Sequence, residues 1–123
     1  MKTVFLIVLM FLWGSEQKEV QVTATIYHAV AEQCNADFLT TASGKKINES
    51  NPQKHRWIAV SRDLEKLGFT FGTKVLVANA NEMNGVWTVQ DRMNKRWEKR
   101  IDFLVNITKK GGKWDRAIIK IIN

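Results

Sequence analysis

The sequence predicts an all-β fold, a small closed barrel, on three observations. Apolar and polar residues alternate in short runs, turn residues interrupt those runs, and only one stretch has helical spacing. A barrel also removes the exposed strand edges that a short β-domain must otherwise hide.

The runs follow one another along the chain. In VQVTATIY (20–27), Val20, Val22, Ala24 and Ile26 alternate with Gln21, Thr23, Thr25 and Tyr27, the pattern of a half-buried strand. RWIAVS (56–61), KVLVANA (74–80), GVWTVQ (85–90) and RAIIKII (116–122) are further β-rich runs, and RIDFLV (100–105) fits a strand or a short helical turn. Turns are marked by ASGKK (42–46), INESNPQ (47–53), GFTFGT (68–73), NEMNG (81–85) and TKKGGK (108–113). SRDLEKLG (61–68) is the one helical stretch. There Ser61 is the expected cap, Leu64 and Leu67 the inward residues and Gly68 the stop. Trp57, Trp87 and Trp114 lie in or near strands and read as core.

Residues 1–14 read differently from the rest. Lys2 precedes an apolar run from Val4 to Trp13, too short for a hydrocarbon core that needs about 20 helical residues. This is the pattern of a secretory signal peptide, with Leu12 a poor fit to a cleavage site and no stable membrane span. The expected organisation is a signal at 1–14 and one barrel domain at 20–123, exported to the periplasm, cell envelope or medium. Cys34 has no second cysteine to pair with, so the barrel must hold by its core. The net charge of +7 favours anionic partners, and export points to wall polymers over nucleic acid.

Two carboxylates stand out. Asp91 and Asp102 lie at the edges of apolar runs, and between them Arg92, Lys95, Arg96, Lys99 and Arg100 surround Trp97. The residues themselves allow structural pairing under a solvated basic face, or an acid–base site under a cationic rim. Burial beside Ile101, Phe103, Leu104 and Val105 would raise the pKa of Asp102, and Asp91 nearby would raise it further, while Arg92 or Arg100 would lower it. His28 and His55 show no metal-ligand spacing, so no metal and no cofactor are expected.

TASG (41–44), RWIAVSRDLEKLGFTFGTKVLV (56–77) and VWTVQDRMNKRWEKRIDFLV (86–105), in that order, resemble the 3D domain, named for three aspartates. The resemblance implies a six-stranded double-psi β-barrel, related to the barrel of A-type membrane-bound lytic transglycosylases and to rare lipoprotein A. It makes Asp91 the second family aspartate and Asp102 the third, which in the transglycosylases is the single catalytic acid. It also places Thr41 and Ser43 near a groove, with Arg92 and Trp97 as candidate substrate contacts. The implied activity is lytic cleavage of peptidoglycan glycan strands by a monomer. The alternative is a non-catalytic barrel that binds peptidoglycan or a similar polysaccharide, and nucleic-acid binding through RMNKRWEKR (92–100) ranks last. Two positions depart from the family pattern: Ser61 stands where its first aspartate would, and 92–100 replaces a glycine-rich loop.

Overall fold

A computed structural model of the chain describes residues 18–31 and 37–122. The expected signal segment and Cys34 lie outside the described residues. Six strands form the fold: β1 (Glu19–Tyr27), β2 (Trp57–Val60), β3 (Lys74–Ala78), β4 (Gly85–Arg92), β5 (Arg100–Leu104) and β6 (Lys113–Ile121). They close into a barrel in the order β1-β5-β2-β4-β3-β6. Pairs β1/β5 and β2/β4 are parallel and the other four antiparallel. Exchanging β1 with β4, β2 with β5 and β3 with β6 returns the same neighbours in the same orientations, so the topology has a pseudo-two-fold. This architecture is compatible with a double-psi barrel. Among the described residues, no helix is long and apolar enough to cross a membrane.

The predicted alternation sorts the faces. Val22 and Ala24 of β1, Ile58 and Val60 of β2, Val75 and Val77 of β3, and Ile101 and Phe103 of β5 are all buried in one core. Phe103 sits between Trp87 and Trp114, with ring centroids at 4.7 and 5.8 Å in tilted and edge-on geometry. Trp87 is fully buried, and its indole N–H donates to the Met83 carbonyl at 2.8 Å. Trp57, predicted as core, instead belongs to a second cluster outside the barrel. There Ala29, Ile47 and Leu104 are buried, and Tyr27, Leu39 and Trp57 pack on them.

The helical stretch is shorter than its spacing suggested. The helix α1 covers Arg62–Glu65 only, and Leu64 is fully buried while Leu67 is 58% exposed. After one turn the chain leaves helical geometry toward Gly68 at φ 107°, so Leu67 does not repeat the inward direction of Leu64. Ser61 occupies the N-cap position without a side-chain cap bond. RIDFLV is a strand, with Arg100–Leu104 forming β5.

Candidate functional site

One transverse row of residues crosses the outer face of the barrel, and three of its members, Asp102, Ala59 and Asp91, lie at the floor of a cleft. Thr25 of β1 pairs with Asp102 of β5, Asp102 pairs with Ala59 of β2, and Ala59 pairs with Asp91 of β4. On β5 the neighbours Ile101 and Phe103 are turned into the core, so Asp102 projects to the outer face. Asp91 reaches that face through a bulge. Between Ile58 and Ala59 the partner on β4 jumps from Val89 to Asp91, which leaves Gln90 over. The extra residue turns Asp91 toward Ala59, while Gln90 is buried against the 41–44 turn.

The cleft holds about 640 Å³ and includes Tyr27, Ala59, Asp91 and Asp102 at its floor, with Arg62, Arg92, Asn94, Arg96 and Trp97 on one side. Asp102 is partly buried, and the Thr25 hydroxyl donates to its Oδ1. Its pKa is raised. Burial is the largest cause, opposed by the Thr25 hydrogen bond and the Arg100 charge, and assisted by the negative charge of Asp91. No salt bridge involves Asp102 among the described residues. The carboxyl is neither clamped by an arginine nor sealed away from the cleft.

Asp91 is held on three sides. Its Oδ1 accepts from the backbone N–H of Ala42 at 3.0 Å and of Arg92 at 2.9 Å, and its Oδ2 accepts from the Tyr27 hydroxyl at 2.9 Å. Asp91 therefore ties the 41–44 turn and the end of β1 to β4.

The other predicted site residues divide. Thr41 and Ser43 are used by their own turn: Thr41 Oγ1 accepts from Lys45 N–H at 3.0 Å, and the Ser43 hydroxyl donates to Gln90 Oε1 at 2.6 Å. Neither lines the cleft. Arg92 lines it, yet its guanidinium makes a double hydrogen bond to Glu65 at 2.6 and 3.2 Å and lies 4.9 Å from the Phe71 ring. Trp97 lines the cleft, with the guanidinium carbons of Arg96 and Arg100 at 4.8 and 4.1 Å from its ring. Ser61 is fully buried, its hydroxyl accepts from Arg100 N–H at 3.0 Å, and Asp63 accepts from Lys99 N–H at 2.9 Å. Neither Ser61 nor Asp63 lines the cleft.

Sequence reasoning missed Thr25, Tyr27, Ala59 and Arg62. Tyr27, the single tyrosine of the chain, ends the polar face of β1, and that position was its only signal. Among the described residues, no group of three or more His, Cys, Asp or Glu side chains gathers to hold a metal. No protein-family model matches the chain, and no curated protein matches it.

Proposed function

We propose that the protein acts on peptidoglycan glycan strands as a lytic transglycosylase of the envelope, with Asp102 as acid and then base. The observation that carries this reading is the carboxyl of Asp102, its pKa raised by burial, at the floor of an open cleft and in no salt bridge among the described residues. The closed six-strand barrel and the TASG turn beside Asp91 support a place near the 3D-domain barrels.

The chemistry needs one group that is protonated near neutral pH. Protonated Asp102 gives its proton to the glycosidic oxygen as the C–O bond breaks and the anomeric carbon gains oxocarbenium character. The muramic acid's own 6-hydroxyl then attacks that carbon. Asp102, now a carboxylate, takes the hydroxyl proton, so the acid is restored and a 1,6-anhydro end is formed. Asp91 acts as a positioning residue: its charge favours the protonated form of Asp102, and its three hydrogen bonds fix the cleft wall. The Thr25 hydroxyl orients the Asp102 carboxyl.

Incubation of the barrel domain with purified sacculi should release 1,6-anhydromuropeptides, detected by mass spectrometry. Release that is undiminished in Asp102→Asn would remove Asp102 from this role.

One observation favours a second reading. The first family acid position is the buried Ser61, whose hydroxyl already serves Arg100, so the cleft keeps two of three carboxylates. A non-catalytic polysaccharide-binding barrel is consistent with that loss. Sacculus pull-down without soluble product would select it.

A further inference from the structure

The loop between β4 and β5 leaves positive charge uncompensated beside the cleft. Of the arginines around it, Arg92 is matched by Glu65, but Arg62, Arg96 and Arg100 make no salt bridge among the described residues. Arg62, at the start of α1, donates from Nε to the Met93 carbonyl at 3.5 Å, which binds it to the loop without neutralising it. Arg96 lies against Trp97, and Arg100 packs on the same ring with its Nε buried and unpartnered. Arg62, Asn94, Arg96 and Trp97 together line one wall, while the carboxylates of the cleft, Asp37, Asp91 and Asp102, lie elsewhere in its lining. The cleft is thus electrically split. A neutral sugar chain would leave the cationic wall unmatched. A chain with an acidic substituent would match it.

We propose that Arg62 and Arg96, with Asn94 and Trp97 beside them, form a subsite for an anionic substituent, carboxylate or phosphate, of a polysaccharide lying along the cleft. Guanidinium groups suit both oxyanions because their paired N–H donors match two oxygens at once. The Arg96 guanidinium packs on the ring of Trp97, so less of its side-chain freedom is lost on binding. The assignment rests on the cleft being a polysaccharide site, and it deepens that reading by naming what the polymer must carry.

The experiment measures binding to the inactive Asp102→Asn protein, which separates it from turnover. Three probes are compared at low and high salt: neutral chitohexaose, peptide-free glycan strands bearing lactyl carboxylates, and poly(glycerol phosphate). At least one anionic probe should bind about tenfold more tightly than chitohexaose, with the advantage shrinking at high salt. Arg62→Gln and Arg96→Gln should each remove most of that advantage and weaken chitohexaose binding far less than binding of the anionic probe. Arg62→Lys, which keeps the charge but not the paired donors, should fall between. The stronger of the two anionic probes identifies carboxylate or phosphate as the source. Equal binding of neutral and anionic polymers, or an advantage untouched by both Gln variants, overturns the subsite while the polysaccharide reading stands. Binding of no probe overturns both.

Discussion

Asp91 and Asp102 share one register partner: both pair with Ala59, from opposite sides of β2. With strands about 4.8 Å apart, their Cα atoms stand about 10 Å from one another. The two therefore stand on either side of the Ala59 methyl group. The influences on Asp102 agree, because burial leads and the Asp91 charge comes last of four.

The pH dependence follows with a definite sign. Asp102 has its folded pKa raised, so its protonated form is favoured, and the stability linked to it is present at low pH and lost as pH rises through that pKa. If Asp102 is the acid of the proposed reaction, activity should fall over the same interval, since that reaction starts from the protonated form. Asp102→Asn should lower anhydromuropeptide release by about a hundredfold or more. In denaturant titrations above that pKa it should be at least as stable as the parent.

Tyr27→Phe removes one of three donors to Asp91 and nothing of the ring that packs on Ala29, Ile47 and Leu104. The expected cost is about 1 kcal/mol, read from the urea midpoint at unchanged slope. An equal loss in Asp91→Asn with no further loss in the double variant would show that the two act as one unit.

Ser61 and Asp63 hold the start of β5, and both can be tested. Ser61→Ala leaves the Arg100 N–H buried without its acceptor and should cost about 1–3 kcal/mol. For Asp63, burial raises the pKa, but the Ser61 hydroxyl and the backbone N–H groups of Lys99, Asp63 and Leu64 outweigh it and hold the pKa low. A depressed pKa gives stability that is present above the unfolded value and lost as pH falls through the folded one. Asp63→Asn should therefore destabilise at neutral pH by about 0.5 kcal/mol after solvent screening, with the difference vanishing in acid. Thermal melts across pH 2–7 would check it.

Gly85 has φ 125°, and a Cβ there would stand 2.8 Å from Arg56 Nη2. Arg56 lies over the Trp87 ring, 4.0 Å from its centroid. Arg56 can swing aside, but the backbone cannot relax, so Gly85→Ala should cost about 1–2 kcal/mol. Near-ultraviolet circular dichroism should report the altered surroundings of Trp87.

His55 gives a local pH response. Burial and then Lys54 lower its pKa, and in the neutral form its Nε2 accepts the Asn48 N–H at 2.9 Å while the ring stacks on Trp57. Stability from this pair is present above the unfolded histidine pKa and lost as pH falls through the lower folded one. Amide exchange at Asn48 should accelerate over that interval.

Strand positions were legible because alternation is a local property, and in β1 Val22 and Ala24 turned inward as their spacing implied. The cleft floor was not, because its row joins Thr25 to Asp102 across 77 positions. No local pattern states which residue of one strand will face which of another. The bulge at Gln90 adds to this: simple alternation would have placed Asp91 on the same side as Val89. Leu67 went astray for the opposite reason, since its spacing was helical but the helix ended first. Thr41 and Ser43, expected near a groove, do not line the cleft, and their hydroxyls are engaged by Lys45 N–H and Gln90.

The interchange of β1 with β4 and β2 with β5 makes Thr25 the counterpart of Asp91, and Ala59 the counterpart of Asp102. Under the proposed polysaccharide reading, the scaffold could accept a linear polymer in either direction, but the side chains break the tie. A chain threaded head-first meets the acid; the same chain reversed meets a methyl group. Directionality thus comes from four residues laid on a frame that has none.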